Sequence, residues 1–552
     1  MLTRLAGGQL YDPTQGMDGV ESDLYIRDGR FVDAPATGVP VDQDIDVSGC
    51  IVMAGAVDIH SHIAGGNVNN ARLLMPELQL ASSMKASRLL RTGRHVGGWS
   101  ASGTGERYAR MGYTTVVEPA VLPCNAVMAH LEMADIPILD TAGLAILGND
   151  DYLLRMLRSG ASQQEVDDHV AWTLDATRCL GLKVINAGGV NAFKQNVRTF
   201  SFDDEVPSYG VSSRRIVQAL QRAVVGLGVR HPLHVHCNNL GVAGQGMDTM
   251  LETMAAADGL PMHLAHVQFY AYGRDGARGF SSAASRLIDA WKRYPNITMD
   301  VGQVLFGPTV TISSDLLAQF GNRAVAKPGK TVFSEAECEG GGGVVPYVYQ
   351  ERNFVNTLQW AIGLEIFLLA DDPARIFFTT DHPNGAPFTR YPDLFRLLMS
   401  ADYRAEMMAG LNQEALALTL LPHLKREYTL YEIAVMTRSA AANLMGLNDR
   451  GSLATGAVAD VAVYAPQADI AAMFARARAV FKSGRQVVRD GEVIATPRGC
   501  ALHTLPAYDR KRVEHLLRDY YGRYMSVQPG NMRVDPGFAE ATGGERFVEV
   551  AA

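Results

Sequence analysis

Seven of the 14 histidines stand in or just after short apolar runs: His60 and His62 in VMAGAVDIHSHIAGG, His234 and His236 in PLHVHCNN, His263 and His266 in PMHLAHVQ, and His382 in RIFFTTDHP. Neutral imidazole is the commonest nitrogen ligand for a metal ion, and two histidines spaced two apart on a strand project from the same face. A lone pair of this kind is more often structural than metal-binding. Recurrence of the pattern on several strands shifts the balance to a metal site, with His60 and His62 at one edge. On the PLHVHCNN run both histidines share a face, so position along the strand decides: His236, nearer the end, is the better ligand and His234 the satisfied core residue. In HLAHV the spacing of three puts the histidines on opposite faces; His266 is the ligand candidate, and His263 packs or supports from behind. His382 faces away from Asp381 and takes no role.

Two further residues could complete such a site. Lys183 sits inside the apolar run GLKVINAGG, where an unpaired ammonium is expensive. Burial lowers a lysine pKa and frees a nucleophilic amine, which can take up carbon dioxide as a carbamate, an anionic two-oxygen ligand able to bridge two metals. The plain alternative is a lysine snorkelling from a strand end. Asp381 ends the TTDHP stretch, where a carboxylate can bind a metal and carry a proton between nucleophile and leaving group. Its alternative is a helix cap.

These residues need one mouth to meet at. Eight apolar runs supply it: residues 51–59, 113–119, 140–148, 182–189, 232–239, 261–268, 296–302 and 375–383. Helical segments separate several of them, notably 150–160, 162–181 with Ser162 as N-cap, and 212–228. Alternation of buried strands with helices predicts an α/β fold, a closed (β/α)8 barrel over residues 51–439, whose C-terminal strand ends gather around one mouth. Two connections, 65–111 and 303–369, are long enough to form lids or substrate walls instead of simple crossovers. The second holds four consecutive glycines, Gly340 to Gly343. Residues 1–50 and 440–497 carry short alternating runs with Asp-Gly and Gly-Arg turns, predicting one small β-sandwich made from both chain ends. Residues 498–552 form a tail with an amphipathic helix over 507–525, suited to wrapping the barrel or docking on a partner.

Composition narrows the partners. At 552 residues and 47% hydrophobic content the chain can bury a large core, and a net charge of -8 with a pI near 6.0 argues against nucleic-acid binding and a membrane surface. Six scattered cysteines, Cys50, Cys124, Cys179, Cys237, Cys338 and Cys500, form no CxxC pair, which suits buried thiols in a reducing compartment. No signal-peptide core or long apolar span is present, so a cytoplasmic location is expected.

Several of these stretches together, VMAGAVDIHSHIAGG, LKVIN, HVHC, HLAHV and GSLATGAVADVAVY, resemble the metal-dependent amidohydrolase superfamily over residues 1–497. NNARLLMPE, ERYARMGYTTVVEPAVLP, GLKVINAGGVNAF, HVHCNNLG and HLAHVQFYAYG are similar, more narrowly, to the A-subunit family of formylmethanofuran dehydrogenase, whose bacterial relatives belong to formyltransferase/hydrolase complexes of one-carbon metabolism. The resemblance implies hydrolysis of an N-formyl group on a methanofuran-type carrier to formate and free amine. It implies two zinc ions held by His60, His62, carboxylated Lys183, His236, His266 and Asp381, with Asp381 as proton carrier. Formyltransferase and the other components of such a complex would be the partners. Metal and cluster ligands for redox chemistry are lacking in this chain. Asn69, Asn70, Arg72, Asn191 and Asn239 follow strands that end at the mouth and are candidate carrier contacts, or else loop caps. Competing readings are a cyclic-amide hydrolase of dihydroorotase or hydantoinase type, and a non-catalytic scaffold within a complex.

Overall fold

The computed structural model describes residues 1–77, 100–337, 341–537 and 546–551; part of the first long connection, Cys338, Gly340 and part of the tail lie outside the described residues. Eight parallel strands close into the barrel: β1 (Ala56–Asp58), β2 (Tyr113–Val121), β3 (Asp140–Ile146), β4 (Gly181–Ile185), β5 (Leu233–His236), β6 (Met262–Leu264), β7 (Ile297–Asp300) and β8 (Ile376–Phe377). Each pairs with the next in sequence, and the ring is joined between its ends by a parallel bridge from Ser61 to His382. Every residue of β3, β4 and β5 is buried. A strand covered by helices outside and side chains inside must be apolar along its whole length, which is why the runs are continuous instead of alternating.

The first run is not one strand. Ile51–Ala54 pairs within a sheet made by the chain ends, while β1 begins the barrel after Gly55. A Cβ at Gly55 would stand 2.2 Å from Thr114 Oγ1, so only glycine lets the backbone pass from one sheet to the other here. The terminal sheet has nine strands drawn from residues 2–54 and 461–493. It folds over, with the Phe31 amide bonded to the Ala457 carbonyl at 3.0 Å, and encloses its own core of Leu5, Ile26, Val52, Val461 and Phe481. Its Asp28-Gly29 and Asp490-Gly491 turns have both central residues at positive φ, the geometry that matches strand twist in tight hairpins.

The helix after Ser162 starts as its sequence indicates, with a capping box between Ser162 and Glu165, but ends at Thr177; Gly181 opens β4 instead of capping the helix. The tail enters the barrel sheet. Cys500–His503 pairs with β3 through Ala501 and Leu502, and Arg546–Glu549 pairs with Cys500–His503. Helix Arg510–Tyr524 packs Val513, Leu517 and Tyr521 against Trp172 and Ala176.

One buried ionic cluster fastens these parts. Asp140, at the start of β3, lies 2.8 Å from Lys482 of the terminal sheet and 2.8 Å from Arg450, and accepts the Cys500 amide of the tail at 3.0 Å. Lys482 also reaches Asp460 at 2.7 Å. Burial alone would raise the Asp140 carboxyl, but Lys482 and Arg450 outweigh it and hold it well below the usual carboxylate range. A depressed carboxylate contributes stability above its unfolded pKa of ~3.9 and loses that contribution as pH falls through its folded value. Asp140→Asn should therefore lower unfolding free energy by about 3 kcal/mol at pH 7. The difference from wild type should shrink in acid, as read by urea denaturation at pH 7 and below pH 4.

Candidate active site

At the C-terminal ends of the strands, side chains from five of them converge. His60 and His62 follow β1, Lys183 lies in β4, His236 ends β5, His266 follows β6, and Asp381 follows β8. Asp381 Oδ1 lies 3.0 Å from His60 Nε2 and 3.4 Å from His62 Nε2, and Lys183 Nζ is 3.2 Å from the same His60 nitrogen. The His236 and His266 rings meet edge to face at 4.7 Å. All but His60 line a cavity of about 300 Å³, with Phe269, Tyr272, Tyr347 and Tyr349 on its walls.

Buried carboxylates position the histidines. Asp300, at the end of β7, sits 3.2 Å from His60 Nδ1 and 3.1 Å from His263 Nε2, and accepts the His266 amide at 3.0 Å and the Thr379 hydroxyl at 2.7 Å. Glu118 on β2 lies 3.0 Å from His62 Nδ1 and accepts the amides of Ile63, Ala64 and Ala120. Asp58 accepts the hydroxyls of Tyr108 and Tyr391 at 2.7 and 2.6 Å and the His60 amide at 3.0 Å. Asp315 meets His236 Nε2 at 3.1 Å. None of these four acids stands out in the sequence. A signal for two of them exists: a lone carboxylate closing an apolar run, as in TTVVE and ITMD.

The charge balance follows from this packing. Burial opposes the charged form of His62, but Glu118 and Asp381 outweigh it and carry the imidazole up to about 9. For Lys183 burial dominates and brings the amine down to about 8, leaving a share of free amine at neutral pH. Burial would raise Asp300, yet His60 and His263 hold it well below the usual range. Asp381 is likewise held low, against burial, by His266 and His60.

The donor set fits divalent cations. His266 Nδ1 is buried without a hydrogen-bond partner among the described residues, although polar atoms so placed are normally satisfied, and Asp381 Oδ1 faces only the imidazole nitrogens of His60 and His62. Two groups have ligand atoms close enough to share an ion: His60, His266 and Asp381, and His60, His234 and Asp300. The second is fully enclosed, with His234 Nε2 3.0 Å from His60 Nδ1 and its Nδ1 3.2 Å from His231; the first opens to the cavity. Nitrogen and carboxylate ligands of this kind suit divalent metal ions.

Left-handed backbone also occurs at this rim. Asn186, Asn239, His266 and Asp381 have φ of +43°, +61°, +36° and +50°, each following a barrel strand. Non-glycine residues held there cost about 1–3 kcal/mol each and cluster where a side chain must be aimed.

The five candidate carrier contacts do not line the cavity. Asn69 and Arg72 are both bonded to Glu132, and Arg72 also to the Ile63 carbonyl at 3.0 Å. Asn191 donates to the Asn149 carbonyl at 3.3 Å, Asn239 donates to Thr249 at 2.9 Å, and Asn70 lies on the same half-exposed helix as Asn69. They brace loops. Instead the wall is supplied by the second long connection, which forms strands Gly307–Ser313, Val332–Glu335 and Gly341–Tyr349 and helix Leu316–Ala326. His382 accepts the Phe388 amide at 3.1 Å, outside the cavity lining. The described cysteines, Cys50, Cys124, Cys179, Cys237 and Cys500, are free thiols, and no helix among the described residues is long and apolar enough to cross a membrane.

Residues 43–495 match the model of the amidohydrolase family. The chain is 52% identical over 530 residues to the A subunit of the formyltransferase/hydrolase complex Fhc of Methylorubrum extorquens, covering 95% of each. The chain belongs to the amidohydrolase family, in the branch of that Fhc component. It is also 34% identical over 559 residues to protein FwdA of Methanocaldococcus jannaschii, covering 97% of each. The X-ray structure of the formyltransferase/hydrolase complex FhcABCD from M. extorquens with methylofuran contains a chain that matches with a TM-score of 0.95 and 50% identity over 100% of both chains. Amidohydrolases are generally metal-dependent, in keeping with the donor set. Among the supports of this amidohydrolase site, Asp300 joins three strand ends through His60, His263, His266 and Thr379. Asp300→Asn should lower unfolding free energy by about 2–4 kcal/mol, measurable by urea titration of the metal-free chain.

Proposed function

We propose that the chain hydrolyses the N-formyl group of a methanofuran- or methylofuran-type carrier to formate and the free amine carrier, as one component of a cytoplasmic formyltransferase/hydrolase complex. The convergence of His62, Lys183, His236, His266 and Asp381 on one cavity, with His60 set against Asp381 and Lys183, carries this reading. The 52% identity to the Fhc relative directs it to a formylated carrier.

In this reading the six residues hold two zinc ions, with Lys183 carboxylated on Nζ. A buried amine brought to about 8 can add carbon dioxide and release a proton, becoming an anion among imidazoles. Two divalent ions bound there supply Lewis acidity and a hydroxide nucleophile at neutral pH. The chain does the rest. Aromatic walls from Phe269, Tyr272 and Tyr349 suit a flat furan ring and exclude water. Asp381, ionised because His266 and His60 hold its carboxyl low, accepts a proton during attack on the formyl carbon. It then delivers that proton to the amine nitrogen, which leaves poorly unless protonated.

Asp381→Asn should keep most of the metal and lose formate release by a factor of about 10² or more; full activity would remove Asp381 as proton carrier. Lys183→Ala should lose metal and activity together. Metal is read by elemental analysis and activity by formate release from a formylated aminomethylfuran. Dihydroorotate and hydantoin serve as competitors, since ring opening of either in place of formate release would point to a cyclic-amide hydrolase.

A further inference from the structure

Helix Leu316–Ala326 lines the cavity through Ala318, Gln319 and Asn322, and its N-cap is Asp315. That carboxylate is 1% exposed and joins three parts of the site. One oxygen accepts the Ala318 amide at 3.1 Å and Asn186 Nδ2 at 3.0 Å; the other meets His236 Nε2 at 3.1 Å. Asn186 ends the strand that carries Lys183, and its amide donates to the His236 carbonyl at 2.9 Å. A segment of the wall is thus bonded both to a candidate metal ligand and to the end of the lysine strand.

An ionised carboxylate can only accept, so the His236 nitrogen facing it must carry the proton. Nδ1 is then the ring's lone-pair nitrogen, the form required of a metal ligand. We infer that Asp315 is a positioning residue that fixes His236 as its Nε2-protonated tautomer and ties that tautomer to the seating of the cavity-wall helix. The inference rests on His236 being a metal ligand, as proposed above. Asp315 is not part of the cavity lining, so its effect passes through His236. A wall that is not seated leaves the imidazole free to rotate or to protonate the wrong nitrogen.

Asp315→Asn tests this because asparagine is also a good N-cap. Its carbonyl can keep the Ala318 and Asn186 bonds, which leaves the amide NH2 facing His236 Nε2. Two donors cannot bond, so the imidazole must move its proton to Nδ1 or turn away. Asp315→Ser, a second capping variant, removes the carboxylate without supplying a donor in the same place. Metal content per full-length chain, kcat and KM for formate release, and melting temperature would be measured for wild type and both variants. Expected are a folded chain whose melting temperature falls by a few degrees, loss of about one of two metals or a 10- to 100-fold weaker retention against a chelator, and a matching fall in kcat with KM nearly constant. Two metals and wild-type kcat in a folded Asp315→Asn chain would overturn the inference while leaving the hydrolase reading intact. Wild-type protein that holds no metal would overturn the hydrolase reading and this one with it. Failure of both capping-competent variants to fold would assign the Asp315 carboxylate to holding the fold together instead of to orienting His236, and would also overturn it.

Discussion

The barrel's inner end is built around the cost of burying charge. Lys183 and the histidines at positions 60, 62, 234, 236, 263 and 266 are all buried, in a medium where an unpaired ion is penalised by several kcal/mol. What makes the cluster tolerable is one carboxylate for each neighbourhood: Asp300 beneath His60 and His263, Glu118 behind His62, Asp315 behind His236, and Asp381 between His60 and His62. Each sets a ring's orientation and, through its hydrogen bond, which nitrogen faces inward. Chemistry at the mouth is therefore an outcome of charge pairing deeper in the barrel.

That arrangement demands a stiff frame. Left-handed backbone at Asn186, Asn239, His266 and Asp381 persists only if the strands before them cannot relax. Strand pairing around the ring, with the Ser61–His382 bridge joining β1 to the end of β8, gives that resistance. The Asp140 cluster extends it to the opposite end, where the terminal sheet, the barrel and the tail meet on one buried carboxylate. Rigidity below and polar precision above are two faces of the same closed sheet.

The long segment between β7 and β8 serves differently. It contributes a small antiparallel sheet and a helix that together enclose the cavity, and it is through Asp315 that this enclosure reaches the imidazoles. Enclosure matters because electrostatic effects strengthen when water is excluded. An open mouth with the same ligands would be a weaker catalyst.

Much of this is legible in the chain. Apolar runs at barrel spacing, the HxH pairs, a lysine inside a strand and an aspartate closing the last one are local patterns, and position along a run is enough to nominate residues for the mouth, although His266 and Asp381 stand beyond their strands in left-handed backbone where periodicity no longer applies. His236 over His234 and His266 over His263 follow from position along a strand alone, and the chosen pair lies on the cavity. The acids behind the histidines are not legible, since a single Asp300 or Glu118 at a strand end looks like any other until its partner arrives from 240 or 56 residues away. Nor can the sequence assign Asn69, Arg72, Asn191 and Asn239 to bracing loops, because following a strand says nothing of where a short polar side chain turns. The break at Gly55 and the tail strand beside β3 depend on contacts with Thr114 and Asp140. Periodicity reports the face a residue presents; which charge it meets there is decided only when distant strands close the ring.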